Sequence, residues 1–198
     1  SYDSWREIRF ANIAFGQGFL TTGLEMVRAY SAFANGGFLI EPYLVERIES
    51  AEGEILQGPP QKPETKILSE ATVEKIKSSL LKVVTEGTGR NARLENFSSA
   101  GKTGTAEKID PKTKGYSPDR RVASFIGFAP AMNPHLVAYI IIDEPHKKPY
   151  YGGTWAAPVF KDIMDNSLKY LNIAPDKTSE HLKINLNKKV DPKKNEHT

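Results

Sequence analysis

The run HLVAYIIID, His135 to Asp143, is apolar at consecutive positions, and it constrains the fold more than any other stretch of the chain. A strand with this pattern has to be covered on two faces, so it belongs inside a layered sheet. It is far too short to cross a membrane, as is every other apolar run in the sequence. VASFIGFAP (Val122 to Pro130) precedes it across a short turn holding Asn133 and Pro134, and Ala123, Ser124, Gly127 and Ala129 leave room there for close packing. With a third segment, AGKTGTAEK (Ala100 to Lys108), these runs make a three-stranded antiparallel meander.

That third segment carries the chemistry. Gly101 and Gly104 strip side chains from the backbone, while Lys102, Thr103 and Thr105 gather a cation and two hydroxyls, a composition suited to an anion. A phosphate loop would need a further glycine five positions before Gly101 and a helix after Thr103. Asn96 occupies that position, and no helical period follows Gly104. An edge strand fits better. Period two puts Thr103 and Thr105 on one face and Lys102 and Gly104 on the other. At a sheet edge, unpaired backbone groups accept an extended peptide, and the lysine can curl past Gly104 to join the hydroxyls on a carboxylate. Spacing alone equally admits a glycine-rich edge with a solvated lysine.

The flanking segments read as helices and turns. Gly16-Gln17-Gly18 marks a tight turn; Thr22 and Glu25 form a capping box for a helix lined by Leu24, Met26, Val27, Tyr30 and Phe33, which Asn35-Gly36-Gly37 ends. Phe38 to Glu49 reads as short strands around a turn, and Ala51 to Lys66 as a surface excursion. A second helix opens at Ser69 and Glu70, carries Val73, Ile76, Leu80 and Val83, and stops at Glu86-Gly87. Pro111 to Asp119 reads as a polar loop. The last helix is expected to be capped by Thr154, to tolerate Pro158 in its first turn, and to be lined by Val159, Phe160, Ile163, Leu168 and Leu171, with Pro175 closing the body. Ser1 to Asn12 supports no defined element.

The 198 residues, 39% of them hydrophobic, suffice for one domain with a sizeable core. The net charge of +3 sits in the tail, where six lysines from Lys177 onward face Glu180, Asp191 and Glu196. A neutral folded body argues against a nucleic-acid partner, and the tail, residues 176–198, reads as solvated and disordered. Without cysteines there is no disulfide or thiolate metal site. His135, His146, His181 and His197 lack ligand spacing, so neither metal nor cofactor is expected.

Lys102-Thr103-Gly104-Thr105 resembles the third signature, K-T-G, of the penicillin-recognising serine acyltransferases. AFGQGFLTTGLEMVRAYSAFANGG before it and YYGGTWAAPVFKDIMD after it resemble the transpeptidase domains of class B penicillin-binding proteins, especially the septal division type. The resemblance covers Asn12 to Pro175. It implies an α+β fold, a five-stranded antiparallel sheet flanked by helices, of which this chain carries three strands. It also implies a peptidoglycan D,D-transpeptidase of cell-wall synthesis, in which a serine activated by the S-x-x-K lysine attacks the D-Ala-D-Ala amide of a stem peptide. The acyl-enzyme then passes to an amine of a neighbouring peptide, and β-lactams acylate the same serine. Carried over by residue, Lys102, Thr103, Gly104 and Thr105 form the substrate-binding strand. Lys102 and the two hydroxyls hold the terminal carboxylate, and the Thr105 N–H is one oxyanion-hole donor. Tyr150 and Tyr151 match aromatic positions that can wall the site; plain surface tyrosines fit them equally well.

The other two signatures are out of place. Ser79-Leu80-Leu81-Lys82 matches S-x-x-K but stands 23 residues before Lys102, on a helix that in this family merely precedes the K-T-G strand, and it reads as a chance match. No serine is followed two positions later by asparagine. In the family both motifs lie upstream of the G-Q-G turn. The chain, residues 1–175, is therefore expected to be the C-terminal portion of a transpeptidase domain that lacks the nucleophile and is inactive alone. Its expected partners are stem peptides, β-lactams, the missing N-terminal half and the cell-wall synthesis machinery. The parent protein would work at the extracytoplasmic, periplasmic face of the bacterial inner membrane, while the fragment itself would be soluble. One edge of the Leu136 to Ile142 strand would lack its neighbour and need cover from another chain or a second copy. Two alternatives stand beside this reading: a non-catalytic module that senses β-lactams or peptides, and a β-lactamase or D,D-carboxypeptidase in which water replaces the acceptor amine.

Overall fold

The computed structural model describes residues 20–59 and 65–177, together with Phe10, Ala11, Ile13 and Gly16. The expectations for the first nine residues, for Gln17 and Gly18, for Pro60 and Pro63 and for the tail past Lys177 lie outside the described residues.

Thr22 opens helix α1 (Gly23–Ala34) through the expected reciprocal cap. Its Oγ1 accepts from the Glu25 N–H at 3.2 Å, and the Glu25 carboxylate accepts from the Thr22 N–H at 2.7 Å. Asn35 ends the helix, and Gly36 and Gly37 carry the turn at φ of 87° and 100°. Four short strands follow: β1 (Phe38–Leu39), β2 (Ile48–Glu49), β3 (Ile55–Gln57) and β4 (Thr65–Lys66). β1 pairs with β4 and β2 with β3, so the expected surface excursion holds β3, the second strand of an exposed hairpin, and β4. Ser69 caps α2 (Glu70–Thr85) by accepting from the Thr72 N–H at 3.2 Å. A single 3₁₀ turn, Arg90–Ala92, leads into the central meander.

The meander is β5 (Ala100–Ile109), β6 (Tyr116–Ala129) and β7 (Leu136–Asp143), antiparallel in that order, followed by α3 (Gly152–Tyr170). Cross-strand partners share a face. Thr103 lies opposite Phe125 and Phe125 opposite Ile140; Thr105 lies opposite Ala123 and Ala123 opposite Ile142. This face packs under α3, whose Ala156, Phe160, Met164 and Leu168 repeat every fourth residue, with the Phe125 and Phe160 ring centroids 4.7 Å apart. On the opposite face Ala100, Phe128 and Val137 meet Tyr30 and Phe33 of α1 and Leu80 of α2. The sheet is thus covered on both sides, as the apolar sequence of β7 requires. Among the described residues β7 pairs only with β6.

Three expectations need correction. β6 starts at Tyr116, inside the segment read as a loop, because Ile109 pairs with Tyr116 and the turn between them is closed by Asp110 Oδ1 accepting from the Lys112 N–H at 2.7 Å. α3 starts at Gly152 with Tyr151 as its N-cap, and Thr154 lies inside the first turn, its N–H donating to the Tyr151 carbonyl at 2.9 Å. The apolar stripes are also narrower than periodicity suggests: Leu24, Val159, Ile163 and Leu171 are exposed, and Val84 rather than Val83 is buried.

The far end of the sheet is tied by charge. Lys108 Nζ reaches Asp143 at 2.9 Å and Glu144 at 2.6 Å, and Arg120 reaches Glu144 at 2.8 Å. Past Pro175, Asp176 Oδ1 accepts from the Ser98 N–H at 2.6 Å and the Lys177 N–H donates to the Asn96 carbonyl at 3.2 Å, holding the end of the described chain to the body.

Two outcomes follow from this packing. Phe160→Ala removes a fully buried ring and should cost about 3–5 kcal/mol in urea denaturation. Hydrogen bonds from Lys108, then Arg120, lower the Glu144 pKa below its ordinary 4.5. Its contribution to stability is present above 4.5 and is lost as pH falls through the depressed value. The stability difference between the protein and Glu144→Gln should therefore be largest near neutrality and disappear in acid, as denaturation across a pH series will show.

Candidate functional site

β5 is the outer strand of its sheet: β6 takes one edge, and no strand among the described residues takes the other. Lys102, Thr103, Gly104 and Thr105 therefore lie on a true edge, as expected. Register places Lys102 opposite Ile126 on the α1 side and the two threonines on the α3 side. The lysine does not simply extend into solvent from its own face. Its Nζ curls back along the strand and donates to the Thr103 carbonyl at 2.9 Å.

Each hydroxyl is held from behind by a different element. Thr103 Oγ1 lies 2.8 Å from Thr88 Oγ1, on the turn that links α2 to the 3₁₀ segment. Thr105 Oγ1 accepts from the Gly152 N–H, the first of α3, at 3.3 Å. This contact needs a helix that begins in van der Waals contact with the sheet backbone, which a side chain would prevent. A Cβ on Gly152 would lie 2.0 Å from the Ser124 carbonyl oxygen and 2.5 Å from that of Gly104. One on Gly153 would lie 2.3 Å from the Thr88 carbonyl oxygen, and one on Gly104 would lie 2.4 Å from Ser124 Oγ. Asn91 completes the junction by donating from Nδ2 to the Gly153 carbonyl at 2.7 Å. The positive end of the α3 dipole is thereby aimed at the threonine face of β5, where a negative charge is favoured.

Tyr150 and Tyr151 stand on the loop entering α3. Tyr151 is 64% exposed and caps the helix beside Gly152. Tyr150 is half-buried, with Lys148 Nζ 5.9 Å from its ring centroid. Trp155 Nε1 fixes the loop by donating to the Pro149 carbonyl at 3.0 Å.

Ser79 is exposed on α2, and its hydroxyl donates to the Lys75 carbonyl of its own helix at 2.9 Å, as a surface serine does. His135 and His146 are exposed, and no three His, Cys, Asp or Glu side chains converge among the described residues; His181 and His197 lie outside them. No described helix is long and apolar enough to cross a membrane. Sequence reasoning missed Thr88, Asn91 and the paired glycines as parts of the site. Their available signals were a hydroxyl between Gly87 and Gly89, and a Gly-Gly pair set directly before an apolar helical stripe.

The family model for the penicillin binding protein transpeptidase domain matches residues 2–165. Stage V sporulation protein D of Bacillus subtilis is 40% identical over 178 residues, 89% of this chain and 27% of that protein. The probable peptidoglycan D,D-transpeptidase PenA of Neisseria gonorrhoeae is 35% identical over 174 residues, 87% of this chain and 28% of that protein. The chain thus spans a little over a quarter of these relatives. Among solved structures, penicillin binding protein 3 of Mycobacterium tuberculosis complexed with aztreonam superposes with a TM-score of 0.78 at 30% identity, over 89% of this chain and 41% of that one. The chain belongs to the penicillin-binding protein transpeptidase domain family, in its class B branch.

Proposed function

We propose that this chain supplies the carboxylate-binding wall of a peptidoglycan D,D-transpeptidase. The observation that carries the reading is the β5 edge, which carries an ammonium folded onto the strand and two hydroxyls, each anchored by a different element. A stem peptide ending in D-Ala-D-Ala pairs with the open backbone edge, its terminal carboxylate taking charge-assisted hydrogen bonds from Lys102, Thr103 and Thr105. The Thr105 N–H stabilises the oxyanion that forms when the scissile carbonyl is attacked. Tyr151 forms the exposed aromatic wall beside the α3 N-terminus, with Tyr150 behind it. The nucleophilic serine and its activating lysine belong to sequence upstream of residue 1, and residues 1–175 are the C-terminal portion of that domain.

The substrate is attacked by the serine, D-alanine leaves, and an amine of a second stem peptide takes the acyl group, forming the cross-link. The relatives named as peptidoglycan D,D-transpeptidases favour this transfer over hydrolysis and over a purely sensing role. The same peptidoglycan-transpeptidase names support a role in cell-wall synthesis, and a solved relative complexed with aztreonam supports a β-lactam as ligand. The working location is then the extracytoplasmic face of the inner membrane, among the cell-wall synthesis machinery and with a role at division.

In the full-length protein, Lys102→Ala removes the ammonium from the carboxylate. The second-order rate of acylation by a penicillin should fall about ten- to a hundredfold, the worth of a hydrogen bond to a charged group. An unchanged rate, measured by stopped-flow or by intact mass against time, removes Lys102 from the site.

A further inference from the structure

We infer that Thr88 is a positioning residue of the carboxylate site, acting through Thr103 and not by touching the ligand. The inference rests on the reading of β5 given above. A hydroxyl has one proton and two acceptor positions. If Thr103 is to donate to a carboxylate, its proton has to point outward, and its oxygen is then open to accept from a neighbour. Thr88 Oγ1, at 2.8 Å, is placed to be that neighbour. The bonds then run in one direction, from Thr88 to Thr103 to the carboxylate, each polarising the next.

The turn that carries Thr88 is built to hold still. The Gly89 N–H donates to the Val83 carbonyl at 2.9 Å, and the Ala92 N–H donates to the Gly89 carbonyl at 2.9 Å. Gly89 is buried, where a Cβ would stand 3.1 Å from the Phe125 ring. On its other side the Thr88 carbonyl oxygen lies against Gly153, in space that a Cβ would fill, and Asn91 ties the same turn to the Gly153 carbonyl. Holding Thr88 in this way keeps a hydroxyl partner at Thr103 Oγ1 before any ligand arrives, ready to donate once Thr103 turns its own proton to the carboxylate, and a site so pre-organised loses less on binding. Thr88 is itself exposed, so its hydroxyl is not needed to satisfy a buried group.

The test is made in the full-length protein with a penicillin and its methyl ester, in which a neutral ester replaces the carboxylate. The ratio of their second-order acylation rates reads the carboxylate site alone. Thr88→Val keeps the shape of the side chain and removes the hydroxyl. It should lower the penicillin rate about three- to tenfold, leave the ester rate unchanged and so lower the ratio, and Thr88→Ser should restore it. Equal losses with both compounds, a ratio unchanged by Thr88→Val, or a lowered ratio that serine fails to restore would each overturn the inference. Lys102→Ala and Thr103→Val are run beside it. If they also leave the ratio at its wild-type value, the reading of β5 itself fails. If they lower it while Thr88→Val does not, only the role of Thr88 falls.

Discussion

The junction between the N-terminus of α3 and the backbones of β5 and β6 is the constraint on which the rest of the site depends. Helices normally stand off a sheet by the thickness of two side chains, whereas Gly152 and Gly153 let this one start directly on the carbonyls of Ser124, Gly104 and Thr88. Closing that gap brings a helical N–H to Thr105, seats Thr88 beside Thr103, and sets the register in which Phe160 descends onto Phe125. A methyl group at Gly152 would have to push the helix off the sheet, and one at Gly153 would push it off the Thr88 turn, and the hydroxyl anchors would go with it.

From this junction the chemistry follows by short steps. An edge strand offers backbone groups to an extended ligand; two hydroxyls facing a helix N-terminus sit in a field that favours an anion; a lysine folded onto the strand rim supplies the countercharge. None of these features selects a carboxylate alone; the proposed carboxylate site rests on their coincidence over four consecutive residues and on the backing of the two threonines. The ion cluster of Lys108, Arg120, Asp143 and Glu144 lies at the other end of the same strands and holds the hairpin to the end of β7.

Much of this was legible in the sequence where the determining interactions are local. Thr22 and Glu25 declare a capping box because both partners lie within one turn, and the unbroken apolarity of β7 declares a doubly covered strand. The misreadings occur where a local preference competes with a distant contact. Thr154 has the chemistry of a cap, yet the cap is Tyr151, three residues earlier, because a side chain of the sheet, the Thr105 hydroxyl, receives the first N–H of α3. Gly115 and Pro118 look like a loop, yet the pairing of Tyr116 with Ile109 starts β6 directly after Gly115 and carries it through Pro118. Val159, Ile163 and Leu171 keep helical spacing but point away from the layer that α3 covers. Thr88 was invisible because its partner is 15 residues away and on another element, and nothing in a linear pattern joins them. The K-T-G strand was legible as chemistry from its residues and as a particular chemistry only through the resemblance of the flanking stretches.

The most direct measurement is a crystal structure of the full-length protein acylated by a penicillin. The penicillin carboxylate is expected within hydrogen-bonding distance of both Thr103 Oγ1 and Thr105 Oγ1, with Gly152 still seated on the β5 and β6 carbonyls and Gly153 on that of Thr88. A carboxylate bound elsewhere, or an α3 N-terminus lifted from the sheet while both hydroxyls still hold the ligand, would contradict it.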